Sequence, residues 1–160
     1  MSHQTALNAH LVADYFLYKG QQEKKPISNK KLQKLLYYAQ AWSLVLCKEK
    51  LFKDKIEAWV HGPAIRNVYI EYKEFGFNPI QKEIETDKIN KIPEKIKKFL
   101  DKVWRVYGKL DAVYLEQLTH SEKPWQEARD GLQGHESSEN VISIKSMRDF
   151  YSEKLKQAQS

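Results

Sequence analysis

Apolar residues at Ala9, Val12, Ala13 and Phe16 recur with the period of an amphipathic helix. We place its start after Thr5, an acceptable N-cap, and its stop at Gly20. The polar stretch QQEKKP then leads to Pro26. Ser28 caps the clearest helix of the chain, Asn29 to Lys48, in which Leu32, Leu35, Leu36, Ala39, Ser43 and Leu46 form one stripe flanked by Tyr38 and Trp42. Lys30, Lys31 and Lys34 lie mostly off that stripe. Such a Leu-rich helix is expected at the centre of the fold.

The period then changes. Leu51, Phe52, Ile56, Ala58 and Val60 alternate with polar or aromatic residues, which predicts one or two short strands. Gly62 permits a turn, and Pro63 suits the first position of a helix carrying Val68, Tyr69, Tyr72 and Phe75 as far as Gly76. Residues 77–92 show no sustained period and predict a loop with a turn near Asn78-Pro79. Pro93 opens a helix with Ile96, Leu100, Val103 and Tyr107 inward and Gly108 as C-cap. Asp111 caps a shorter helix bearing Val113, Leu115 and Leu118, and a further turn or two surrounds Pro124 and Trp125. After the loop-like GLQGHESSEN, Val141-Ile142 predicts a short strand beside the Ile56 segment. Ser143 or Ser146 caps a last helix with Met147, Phe150 and Leu155. The expected fold is mainly α: a single helical domain spanning 1–160, with a small short-stranded β element and neither repeat nor internal boundary.

Composition sharpens this only at a few points. In 160 residues there is one cysteine, Cys47, so no internal disulfide can form, which fits a reducing, cytoplasmic setting. The N-terminal stretch has no unbroken apolar run, since His10 and Asp14 interrupt it, and no segment is apolar enough to span a membrane. The net charge of +6 leaves an acidic partner open without deciding for one.

Candidate chemistry is sparse. The sequence lacks the glycine-rich phosphate loops and the paired His or Cys motifs of common enzymes and metal sites. Of the histidines His3, His10, His61, His120 and His135, none pairs with another at the spacing that puts two ligands on one helix face. His61, His120 and Cys47 can still meet in space, but structural or exposed histidines are the ordinary case. Cys47 reads as a small hydrophobe near a helix end. The His61-Gly62-Pro63 turn, with Arg66 near, would offer an anion the unpaired N–H groups of a helix start, although a plain strand-to-helix corner, a common structural device, is the favoured explanation. Lys95, Lys98, Lys102 and Arg105 share one helix face, which reads as a solvated surface before a phosphate contact. With 4 Trp and 9 Tyr, not all of Tyr37, Tyr38, Trp59, Tyr69, Tyr72 and Trp125 hide easily, and such residues are favoured interface anchors.

Four strings carry a resemblance. KLQKLLYYAQAW (Lys31–Trp42), IEAWVHGPAIRNVYIEYKEFG (Ile56–Gly76), LTHSEKPWQEARDG (Leu118–Gly131) and the closing Ile142–Tyr151 segment, in this order, resemble the Panacea antitoxin domain of SocA-like and phage-associated GepA-like proteins. The signature positions are Lys31, Gln33, Tyr37, Trp59, His61, Gly62, Pro63, His120, Ser121, Pro124 and Trp125, with Ala64-Ile65 replacing the commoner Val-Val. The resemblance implies a non-enzymatic, cofactor-free antitoxin of a type II system, found in bacterial and prophage operons, that neutralises a cognate protein toxin encoded beside it. It also implies two alternatives. One is an adaptor that delivers a toxin to a cytosolic protease, and the other is a nucleic-acid-binding prophage protein. An enzyme acting through His61 and His120 is the third reading. No membrane partner is expected.

Overall fold

The computed structural model describes residues 7–159. Its first helix, α1 (Ala9–Gln22), is capped by the Asn8 side chain, which accepts from the Leu11 N–H at 2.8 Å. The cap expected at Thr5 lies outside the described residues. Gly20 does not stop the helix but is buried within it. A Cβ there would sit 2.7 Å from the Lys25 carbonyl oxygen and 2.9 Å from Ile27 Cδ1, so the glycine lets the returning chain pass close. The reversal itself falls to Lys24, in the left-handed region at φ 56°. Gly20→Ala is therefore expected to destabilise by about 1–3 kcal/mol through overpacking. Chemical denaturation checks this, and unchanged stability would mean that the returning chain can step back freely.

Ser28 caps α2 (Asn29–Trp42) as expected, its hydroxyl accepting from the Lys31 N–H at 3.2 Å. The helix runs on as a π turn, Ser43–Cys47, closed by Lys48 at φ 62°. The wider turn shifts the phase of the side chains, so Leu46 leaves the stripe and is 51% exposed rather than inward. The lysines differ from expectation in the opposite sense. Lys31 and Lys34 are buried, because α2 is enclosed on nearly every side.

A hairpin follows. In it β1 (Glu57–Trp59) pairs antiparallel with β2 (Gly62–Ala64), with Trp59 opposite Gly62. Pro63 thus lies in a strand and not at a helix start; α3 (Arg66–Glu71) begins three residues later, after Ile65. The Val141-Ile142 segment lies on the free edge of β1 as anticipated, in a single bridge, with Ile142 N–H donating to Ile56 O at 2.8 Å. The expected loop 77–92 has the turn at Asn78, and Pro79 bridges to Ser28, but it also contains a short helix, α4 (Thr86–Asn90).

Pro93 precedes α5 (Glu94–Tyr107), whose buried face is Phe99, Leu100, Val103, Trp104 and Tyr107. Gly108 follows as the C-cap, where a Cβ would lie 2.5 Å from the Trp104 carbonyl oxygen. Asp111 caps α6 (Ala112–His120) by accepting from the Tyr114 N–H at 2.8 Å. Leu115 is inward as expected, whereas Val113 is 60% exposed, because the short helix presents only one narrow face to the core. Then come α7 (Lys123–Ala128) and α8 (Ile144–Gln159); at the start of α8 the Ser143 hydroxyl accepts from the Ser146 N–H at 2.9 Å.

The chain wraps α2 with α1, α5, α6, α8 and the hairpin. Where α2, α5 and α8 meet, Tyr38 stacks on Tyr107 at 4.0 Å and Tyr151 meets Tyr37, Tyr38 and Trp42 edge-on. The result is a mainly helical fold with a two-stranded sheet. Among the described residues no helix is long and apolar enough to cross a membrane.

Candidate functional site

The hairpin needs a residue beyond Val60-His61 that tolerates the left-handed region, and Gly62 supplies it at φ 110°. Glycine is required there twice over. A Cβ would also lie 2.4 Å from Lys34 Cε and 3.1 Å from Thr119 Oγ1. The hairpin thus rests directly on the Lys34 side chain, whose Nζ donates to the Pro63 carbonyl oxygen at 3.1 Å.

Beside this contact opens a cleft of about 660 Å³. Asn29, Gln33 and Lys34 of α2 form one wall, and Trp59, His61 and Gly62 of the hairpin form another. Tyr69 of α3 and Phe77 close the third side, with Phe77 93% exposed. The loop at Ser137–Glu139 completes the lining. Trp59 and Tyr69 meet edge to face at 5.0 Å. The cleft therefore combines the aromatic rings of Trp59, Tyr69 and Phe77 with a few charges and small polar groups, a composition suited to holding a ligand or a partner's side chains.

Those charges are mostly paired. Glu116 of α6 accepts from Lys30 and lies 3.2 Å from His61 Nδ1. Burial pushes its carboxyl up, but the Lys30 and His61 hydrogen bonds bring it below its usual value. Arg66 donates to Glu57 at 2.8 Å, reaches Glu139 at 3.2 Å, and lies over the Trp59 ring at 5.3 Å. Lys34 differs. Burial pushes its amine down from 10.5 to about 7, and only the more distant Glu116 pulls it back up.

The folded state therefore binds fewer protons than the unfolded chain between pH 7 and 10.5, so this group makes stability rise with pH across that window. Lys34→Met is expected to reduce the rise and leave the part owed to Lys31, whose amine burial also lowers, as denaturation midpoints at pH 7 and pH 10 would report. An undiminished rise would locate the proton elsewhere.

The predicted signature residues divide into two groups. Gln33, Trp59, His61 and Gly62 line the cleft. The others brace it. Lys31 Nζ donates to the Gly108 carbonyl oxygen at 2.6 Å, and Pro63 receives Lys34. Gln33 itself also ties α2 to the end of β2, its Oε1 accepting from Ile65 N–H at 2.8 Å. Tyr37 Oη lies at hydrogen-bond distance, 3.2 Å, from Tyr151 Oη. His120 stacks on Trp125 at 4.0 Å, and Trp125 Nε1 donates to the Trp59 carbonyl oxygen at 2.8 Å. Ser121 Oγ donates to Leu118 O at 2.7 Å at the end of α6, and Pro124 is buried in the first turn of α7. Burial lowers the His120 pKa, which keeps the ring neutral, and its Nε2 is buried without a hydrogen-bond partner.

The structure does not assemble His61, His120 and Cys47. His61 pairs with Glu116 while His120 packs on Trp125, and Cys47 ends the π turn of α2. Among the described residues no group of three or more His, Cys, Asp or Glu side chains is placed to hold a metal ion. The helix start imagined after Gly62-Pro63 dissolves as an anion site, since those residues are in β2. Lys95, Lys98, Lys102 and Arg105 are all exposed on α5.

Sequence reasoning missed three groups. Lys34 and Asn29 were obscured because both lie off the apolar stripe of α2, where a solvent-facing side chain is the ordinary expectation. Arg129 is buried after α7 and donates to Ala58 O, Gln133 O, Gly134 O and Glu136 O, holding the 131–140 loop against the hairpin. Glu122 is 4% exposed and accepts from Tyr151 Oη at 2.6 Å and Tyr38 Oη at 2.9 Å, while its Oε2 has no partner.

Burial raises the Glu122 pKa above its usual 4.5 despite those two tyrosine bonds. The sign is the reverse of Lys34. Its contribution is complete below pH 4.5 and is lost as pH rises through the raised value. Glu122→Gln is expected to flatten that loss in denaturation curves taken from pH 4.5 upward to neutrality. An unchanged slope would assign the loss to another acid.

The antitoxin SocA-like, Panacea domain family model matches residues 32–126, which run from α2 into α7 and include the hairpin, Tyr69 and Phe77. No curated protein and no solved structure is significantly similar to the chain. With more than half of its length matched, including the strings that build the cleft, the chain belongs to the SocA-like antitoxin family and carries its Panacea domain.

Proposed function

We propose that the protein is the antitoxin of a type II toxin–antitoxin pair and neutralises its cognate toxin by binding it directly across the cleft. One observation carries the reading: in a chain of the SocA-like family, four signature positions line a single aromatic cleft. An exposed Phe77 at the margin and Trp59 and Tyr69 inside it are the side chains that anchor protein interfaces, because they bury large area at low entropy cost. Such a role needs no chemistry from the protein. We take residues 1–160 as one Panacea-like domain, since α1 and α8, outside the matched segment, pack on α2. We place the pair in the cytoplasm, the compartment in which a toxin made beside it would act.

The test is to express the neighbouring reading frame in bacteria, alone and with this protein, and then to co-purify. Rescue of growth with a stoichiometric complex is the expected result. Rescue with loss of the toxin and no complex would instead favour delivery to a protease. Absence of toxicity from either neighbour would remove the antitoxin pair from consideration.

A further inference from the structure

Lys34 is 2% exposed, forms part of the cleft lining, and gives its ammonium one acceptor, the Pro63 carbonyl oxygen. An ammonium has three donors. The other cations of the lining have carboxylates: Lys30 has Glu116, and Arg66 has Glu57 and Glu139. Among the described residues no carboxylate lies within ion-pair distance of Lys34, so it is the unpaired cation of the site. A buried unpaired charge is costly, and the cost is relieved by an anion that brings its own acceptors.

The rest of the lining says what accompanies that anion. With Lys30 held by Glu116 and Arg66 by Glu57 and Glu139, the positive charge of the lining left uncompensated is that of Lys34. Trp59, Tyr69 and Phe77 offer aromatic faces that favour an apolar neighbour. The cleft, at about 660 Å³, is large enough for a few side chains and too small for a folded element.

We propose that the cleft receives an Asp or Glu carboxylate of the partner protein, flanked by an apolar residue, with the Lys34 ammonium as its counterion. The protein nature of the occupant rests on the antitoxin reading; the carboxylate does not. One consequence separates this role from a structural one. Because burial holds the free amine near 7, pairing with a carboxylate draws a proton onto it, and complex formation at pH 8 takes up close to one proton (about the limit set by a single site).

The test uses the full chain and 3-phenylpropionate as a probe, with 3-phenylpropanol as its uncharged counterpart. Chemical shifts of the Trp59 indole follow binding. The acid is expected to bind at least about tenfold more tightly at pH 6. Lys34→Met is expected to abolish the preference, and so is raising the pH to 9 with the wild-type protein, which needs no variant to fold. Equal binding of acid and alcohol, or a preference that survives both changes, would overturn the proposal. Calorimetry of the toxin complex in buffers of different ionisation enthalpy then reads the proton, and a complex formed without uptake would overturn the role of Lys34 there. If no neighbour is neutralised while the acid preference holds, the antitoxin reading fails and a small acid replaces the protein as occupant.

Discussion

Trp125→Ala is expected to lower stability by about 3–5 kcal/mol, the range for deleting a buried aromatic ring. Three elements depend on this side chain at once. Its Nε1 holds the hairpin through the Trp59 carbonyl oxygen at 2.8 Å, its ring carries His120 at 4.0 Å, and Arg129 lies over it at 5.1 Å. Deletion would leave a cavity and would also free the neutral His120 ring, whose Nε2 already lacks a partner. Trp125→Phe separates the contributions. It keeps most of the stacking area and loses the N–H, so it should cost about 1–2 kcal/mol. Urea denaturation of both variants checks the ranking. A Trp125→Ala protein within about 0.5 kcal/mol of wild type would show that the hairpin is held from elsewhere.

The second large effect concerns Arg129, which is 5% exposed and donates to carbonyl oxygens of β1 and of the 131–140 loop, joining the two. Arg129→Met keeps the stem and removes the donors. Buried hydrogen bonds from a charged group are among the stronger ones, so a loss of about 2–4 kcal/mol is expected. The more specific result is local. Amides of residues 131–140 should lose hydrogen-exchange protection more than those of α2, because three of the four acceptors of this guanidinium lie in that loop. Uniform loss of protection would mean that Arg129 supports the whole core instead.

Much of this arrangement was legible in the sequence. Leu100, Val103 and Tyr107 of α5 are buried as its helical period predicted, although Phe99 and Trp104 join them and Ile96 is only partly buried, and the caps at Ser28 and Asp111 are where the side chains predicted them. The edge pairing of Val141-Ile142 with Ile56 also followed from pattern alone. What escaped has a common origin in tertiary packing. Leu46 left its stripe because a π turn, invisible to a helical period, changed the phase. Lys34 looked like a surface lysine because nothing local shows that a hairpin, distant in sequence, will lie on it. Pro63 fits a helix start by propensity, yet the pairing with Ala58 places it in a strand.

The same division holds for the site. Gln33, Trp59, His61 and Gly62 were singled out through a family pattern, and the structure shows them side by side in the cleft. Phe77, Lys34 and the Ser137–Glu139 loop were not, because they are not among the signature positions and only the folded chain brings them to the cleft. Glu122 and Arg129 were hidden for a different reason. Their roles are set by buried polar neighbours more than a turn away in sequence, such as Tyr38, Tyr151 and Ala58.

The most direct measurement is the dissociation constant of the toxin complex for wild type and Phe77→Ala. Phe77 is 93% exposed, so its truncation should leave the melting temperature unchanged. If the cleft grips the toxin, affinity should fall by about tenfold or more, as for an aromatic interface anchor. Full affinity in a folded Phe77→Ala protein, with the toxin's footprint on another face, would contradict the cleft as the binding site.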